Sequence, residues 1–376
     1  MLRLPACVAF WTISLFVSGC AGLANPRDDL PETTGYARVN AALLDHHVLP
    51  RFERLAAAAT RLDQAADLFC SGADRSGLTG PRERYHDVMD AWMGAQHLRF
   101  GPSELSMRAS RLYFWPQARG RVGDALREAM EGAGGLDGES LARKVARASV
   151  AAQGLPALEY LLYHDSGLAG EAEEASASCP ALTAVTANMQ SIAVGMVRDW
   201  RGGDVAFKRV FLEPGPGNPY YLDDRAAALD LFKSFHGGLR FIADVKLKPV
   251  VGDGIAAAQP QLAESSLSGR SLRNIVVNLE ALQALYLGDG GAGLSDLVVA
   301  RGDDPTLDPL MRKAFGITIQ TARGIGRPLG PAVGDETLRP ETEKLLTQVI
   351  ALKQIVKTRV ADALDLTVGF NALDGD

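Results

Sequence analysis

Histidines and carboxylates are the side chains in this chain that could hold a metal or move a proton, and their spacing limits the chemistry open to them. The six histidines are His46, His47, His86, His97, His164 and His236. A zinc hydrolase of the His-Glu-x-x-His kind needs two imidazoles one helical turn apart, with the glutamate as base. No such string occurs, and only the neighbours His46 and His47 lie within five residues of each other. Adjacent positions point about 100° apart on a helix, so these two make a poor chelate. Hydrolytic zinc catalysis is therefore not expected.

One carboxylate is conspicuous for its surroundings. Glu159 lies in the run Gly154 to Leu162, among Leu158, Leu161 and Leu162, on a face with Pro156, Tyr160 and Tyr163. Burial there demands a partner: either a residue that makes Glu159 a structural acid, or a metal completed by side chains distant in sequence. Pro156 offers neither donor nor acceptor and suits the first turn of a helix resumed after Gly154. His97 and Glu104 flank Gly101-Pro102, a corner that can turn both inward; otherwise they are a solvent-facing histidine and a first-turn glutamate favoured by the helix dipole. Ser268, Ser271, Asn274 and Asn278 continue one polar helical face, expected to decorate an exposed helix, with cleft lining as the alternative. Gly288 to Gly293 has no strand before it and no Lys-Ser/Thr after it, so nucleotide binding is not expected.

The elements that position these groups follow a leader. Arg3, an apolar run from Val8 to Val17 and then Val17-Ser18-Gly19-Cys20 form a lipoprotein signal peptide pattern, too short in its apolar part to span a bilayer. Residues 1–19 would be removed and Cys20 lipidated, anchoring the protein on the periplasmic side. Ala21 after Cys20 favours the outer over the inner membrane. Loss of the leader takes away Arg3 alone among charged groups, moving the formal net charge of −6 one unit further negative. Basic residues are scattered among acids, so no nucleic-acid partner is expected. Cys70 and Cys179 remain, and in an oxidising compartment two thiols suggest one disulfide.

Beyond a tether over 20–35, alanine-rich stretches with apolar residues three and four apart predict helices over 36–68, 82–98, 104–130, 139–165 and 180–201. Glu213-Pro214-Gly215-Pro216-Gly217-Asn218-Pro219 is the strongest linker candidate, and helices are expected after it over 222–246, 259–287, 307–325 and 336–366. Leu282 with Leu285, and Leu345, Ile350 and Ile355, are expected as core stripes. The fold class is all-α, with two helical-bundle halves at 36–212 and 220–376.

Several segments, taken in order, resemble the imelysin family. Val48-Leu49-Pro50-Arg51-Phe52 is followed by Arg99-Phe100-Gly101-Pro102, Tyr113-Phe114-Trp115-Pro116 and Gly154 to Leu162. The last is similar to the family's G-x-H-x-x-E motif, with Pro156 where the histidine belongs. Ala263-Glu264-Ser265 with Ser268, Ser271, Asn274 and Asn278, ending in Tyr286-Leu287-Gly288, is similar to the family's ES…S…N…Y-x-G stretch.

The resemblance implies two helical bundles with the motif near a shared cleft, and an exported or lipid-anchored protein linked to bacterial iron uptake. In the family motif, His and Glu at i and i+3 could present one imidazole and one carboxylate to a metal. With that histidine gone, a site around Glu159 would draw on His97, Glu104, Glu264 or His236. The leading expectation is a non-catalytic lipoprotein that binds a metal, iron or another divalent ion, or another small ligand in the cleft, with a protein partner in iron uptake. The alternatives are an M75-type metallopeptidase and a docking protein with a vestigial site.

Overall fold

Each amphipathic segment of this chain can bury only one face, and the resulting architecture is helix packed on helix. A computed structural model describes residues 32–366 except 74–76, 119, 169–171 and 203–205, without the side chains of 32–34 and 172–177. The leader, Cys20 and most of the tether lie outside the described residues. Among the described residues every regular element is helical and there is no strand. None of these helices is long and apolar enough to cross a membrane.

The first run is α1 (Glu32–Leu43), a π turn (Leu44–Val48) and α2 (Leu49–Cys70), followed by α3 (Thr79–Ala95). Next come α4 (Arg108–Leu112), α5 (Arg121–Met130), α6 (Gly138–Arg147), α7 (Gly154–Tyr163), α8 (Ala172–Arg201) and α9 (Phe207–Leu212). The remainder comprises α10 (Asp224–Arg240), a second π turn (Phe241–Leu247), α11 (Lys248–Val251), α12 (Ser271–Leu287) and α13 (Leu294–Arg301). It closes with α14 (Leu307–Ile325), α15 (Leu329–Val333), α16 (Arg339–Ile355), a third π turn (Val356–Val360) and α17 (Ala361–Ala363).

Helix α2 packs against α3 and α8, with α6 and α7 against α8; α14 packs against α12 and α16. Helix α3 lies on α12, and α1 on α10, so buried side chains form one connected core from Tyr36 to Leu366. Cys70 at the end of α2 is disulfide-bonded to Cys179 in α8, 109 residues away.

Three expected helices are interrupted. The span 104–130 breaks between α4 and α5, where Trp115-Pro116 is a cis peptide and Pro116 cannot supply the N–H a helix needs. The span 139–165 breaks at Ala148, whose extended backbone ends α6, before Gly154 restarts the chain as α7. The expected 259–287 helix begins only at Ser271, because residues 255–257 and 260–262 are short 3₁₀ turns and Ser265 and Gly269 take positive φ. Ile350 is exposed, a correction to the expected stripe: five residues carry a helix well round its axis, and Leu345, Val349 and Leu352 form the buried row.

Candidate functional site

Helices α3, α10 and α12 and the segments after α3 and α4 enclose a cleft of ≈ 310 Å³. Its apolar wall is Trp92, Trp115, Phe241, Ile242 and Leu282, with Trp115 and Phe241 in edge contact at 6.1 Å between ring centroids. Its neutral polar floor is Gln96, His97, Tyr113 and Asn278, and Arg99, Glu104, Asp230 and Lys233 stand around it. Arg99 and Glu104 are about half exposed and paired at 2.6 Å, which places Glu104 at the mouth. Gly238 lets α10 pass close. A Cβ on Gly238 would meet Leu282 Cδ2 at 2.7 Å and His97 Cβ at 3.1 Å, whereas one on Gly237 would meet nothing within 4 Å.

Behind the floor lies a buried polar centre. The second π turn places Lys246 in the interior, where Nζ donates to Glu264 at 2.9 Å and to Asn278 Oδ1 at 2.7 Å. Glu264 also accepts from Tyr113 Oη at 2.8 Å and Asn274 Nδ2 at 3.0 Å. Asn278 Nδ2 donates to the Met93 carbonyl at 2.7 Å and to Gln96 Oε1 at 3.2 Å. Burial holds the Lys246 ammonium below its ordinary pKa and, helped by Glu264, pushes the Tyr113 phenol up. Asn274 and Asn278 are 0% and 5% exposed, so the face expected to decorate an exposed helix is interior. Their polarity answers buried charge rather than water.

Glu159 belongs to the edge of this centre. Its Oε1 accepts from the Ser268 backbone N–H at 2.9 Å and the Ser268 hydroxyl at 2.5 Å. Burial of the carboxyl pushes its pKa up, opposed by the Ser268 bonds. Gly154 makes this placement possible: φ is +66°, and a Cβ would stand 2.2 Å from the Leu112 carbonyl oxygen. Only glycine lets the start of α7 abut the end of α4, bringing Glu159 and Tyr113 into one neighbourhood.

The expected site residues therefore separate. His97 and Glu104 line the cleft, Glu264 lies beneath its floor, and Glu159 is held by Ser268. His236 is elsewhere, near Lys353, Lys357 and Arg240, with burial the main cause of its lowered pKa. His164 stacks on Tyr160 at 4.4 Å. Among the described residues no group of three or more His, Cys, Asp or Glu side chains is gathered to hold a metal. The donors that do approach each other are committed, Glu159 to Ser268, Glu264 to Lys246, and His97 Nε2 to His47 Nε2 at 2.9 Å. As arranged, they do not fit a bare metal ion.

Sequence spacing missed His47, Lys246 and Asp289. Lys246 carries a weak signal, a cation between Val245 and Leu247 with Asp244 and Lys248 nearby, whereas the partners of His47 are set only by the fold. His47 sits in the first π turn, fully buried, with Nδ1 3.4 Å from Asp289 Oδ2. Asp289 also receives Arg51 at 3.0 Å.

The sequence model of the peptidase M75 family, imelysin, matches residues 48–356. Iron-regulated protein A of Synechococcus elongatus is 22% identical over 281 residues, covering 74% of this chain and 72% of that protein. The crystal structure of an imelysin-like protein from Psychrobacter arcticum superposes with a TM-score of 0.71 at 18% identity, over 91% of this chain and 99% of that one. An iron-regulated protein A precursor from Parabacteroides distasonis gives 0.69 at 18% identity, over 88% and 96%.

Proposed function

This chain belongs to the imelysin family, and from that premise we propose that it is a lipid-anchored periplasmic binding protein that holds a small organic ligand in the α3–α10–α12 cleft without hydrolysing it. The observation that carries this reading is the cleft's composition. Aromatic and aliphatic walls over a neutral polar floor suit an organic molecule, while the nearby carboxylates are already satisfied. Arg99 and Lys233 balance Glu104 and Asp230 around it, which favours a ligand of no net charge.

Anchoring through Cys20, with the outer membrane favoured over the inner, rests on the leader pattern. A role in iron-responsive physiology, with a protein partner in uptake, is supported by the name of the Synechococcus relative. Iron itself is not the ligand in this reading, because Glu159 lacks the motif histidine and is engaged by Ser268.

Calorimetric titration with Fe(II), Fe(III), Zn(II) and Cu(II), on the purified protein and on Glu159→Ala, tests the choice. No stoichiometric metal binding is expected from either protein. Micromolar binding lost in Glu159→Ala would overturn the reading and restore a metal site at the motif.

A further inference from the structure

The loop between α9 and α10 holds two apolar side chains outward. Leu222 is 76% exposed, the most exposed large apolar side chain among the described residues, and Tyr220 is 57% exposed. Single exposed apolar residues are ordinary, but these two stand on backbone that is firmly held. Asn218 is the clasp. Its Nδ2 donates to the carbonyls of Val210 at 2.6 Å and Glu213 at 3.0 Å, and its Oδ1 accepts from the N–H groups of Tyr220 and Tyr221, both at 2.9 Å. The Gly215 N–H donates to the Tyr221 carbonyl at 3.0 Å, and Pro214, Pro216 and Pro219 fix their own φ angles. Tyr221 turns inward onto Phe211, with ring centroids 5.5 Å apart. A pre-ordered loop that displays Tyr220 and Leu222 loses little conformational entropy when something covers them.

This loop lies beside the point where the chain enters the fold. Asn40 of α1 donates to the Asp224 carbonyl at 2.8 Å. Tyr36, one turn from the start of α1, donates to the Leu364 carbonyl at 2.5 Å, next to Asp365, whose carbonyl accepts from Arg225. Residues 21–31 alone separate Cys20 from the start of α1 at Glu32, a reach of about 40 Å at full extension. A lipid on Cys20 therefore keeps this end of the protein near the bilayer. The cations around the loop are matched, Lys208 by Asp45 at 2.6 Å and Arg225 by Asp365 at 3.2 Å, so the contact it offers is apolar rather than electrostatic. The loop also borders the cleft: Tyr221 Oη donates to Asp230 at 2.8 Å, and Tyr220 packs on Phe207, whose ring a Cβ on Gly101 would meet at 2.7 Å.

We propose that Tyr220 and Leu222 are the membrane seat of the anchored protein. They enter the interfacial layer of the phospholipid bilayer that carries the Cys20 lipid, and so hold the cleft mouth beside the bilayer surface. This rests on the lipid anchor proposed above. Two side chains are too little to bind a bilayer alone, so they orient a protein that the lipid already holds.

The test uses the full lipidated chain in phosphatidylcholine vesicles, with a polarity-sensitive fluorophore on Leu222→Cys or on Leu136→Cys. Cys70 and Cys179 are bonded to each other and do not take the label. Leu136, 41% exposed, is the control at the other end of α8: its neighbours Gly138 and Leu141 lie beside Cys179, and α8 rises about 33 Å from there to Arg201. The label at 222 should shift to the blue and lose most of its emission to a lipid carrying a nitroxide near the head group. The label at 136 should do neither, and adding phosphatidylglycerol should change little.

Equal responses at the two positions, or none at 222, would overturn the seat while leaving the anchor. A response at 222 that requires phosphatidylglycerol would replace the seat with a charge-driven contact. A blue shift that follows protein density and resists the nitroxide lipid would assign the loop to a second copy of the chain. A native chain that stays soluble after export, as Cys20→Ser should, would overturn the anchor itself and the seat with it.

Discussion

Lys246 and Glu264 face each other at 2.9 Å, with side chains 1% and 2% exposed. Eighteen residues separate them in sequence, and the segment between them holds α11 and two 3₁₀ turns. The pair draws in Tyr113, Asn274 and Asn278, so every charge-bearing atom in it has a partner from a different element. That completeness makes it a structural anchor for the cleft floor, since a buried ion pair is tolerable only when its remaining bonding capacity is met.

Removing one partner should therefore cost far more than removing both. Lys246→Met alone leaves Glu264 buried and uncompensated and should lower stability by about 3–5 kcal/mol. Adding Glu264→Leu should recover a large part of that loss. Chemical denaturation of both single variants and the double variant measures the coupling, and additive losses would show that the two charges do not depend on each other.

Neighbouring glycines in α10 should respond with opposite sign. Gly237→Ala meets open space and should stabilise by up to about 1 kcal/mol through helix propensity. Gly238→Ala presses on Leu282 and His97 and should destabilise by about 1–2 kcal/mol. Gly237→Phe should fold normally and fill part of the cleft, because Gly237 lines it with open space beside its Cα. Thermal melts of the three variants decide the signs.

Acid should weaken the fold before the carboxylates titrate. Burial holds His97 neutral well below the usual histidine range, and lowers His47 from 6.5 to about 4. The unfolded chain then binds more protons than the folded one in this window. Stability is thus full above pH 6.5 and falls as the pH approaches 4, by up to about 3 kcal/mol from His47 alone. The raised carboxyl of Glu159 offsets part of the loss at the acid end. Urea unfolding at about pH 7.5, 6 and 5 should show the decline, and His47→Gln should flatten it. A flat wild-type profile would contradict the buried neutral pair.

Neither cysteine of the disulfide lines the cleft. Replacing Cys70 and Cys179 by serine opens a crosslink of sequence separation 109 and should lower stability by about 4–5 kcal/mol on the chain-entropy account. The decline in stability between pH 6.5 and about 4 that His47 contributes should not change. Urea denaturation of the same double variant at about pH 7.5 and 5 separates the two effects.

What the sequence alone determined is the class of the fold and its kinship. Period-3.6 apolar patterning appears in every long segment, and burying one face of each leaves helix-on-helix packing as the outcome. The expected 307–325 helix matches α14 residue for residue. Gly154 and the Glu264-Ser265…Asn278 stretch were also legible, through their resemblance to motifs of the imelysin family. The tertiary structure alone decided what those residues do. Local spacing describes one helix at a time, whereas His47 meets His97 across 50 positions and Asp289 across a still longer separation. For the same reason the sequence did not show that Ser268, 109 positions away, donates to the Glu159 carboxylate. Asn274 and Asn278 looked solvent-facing because polarity in sequence does not distinguish water from a buried Lys246 as the partner. Hydrogen-bond partners are chosen by packing, and packing is a property of the whole chain.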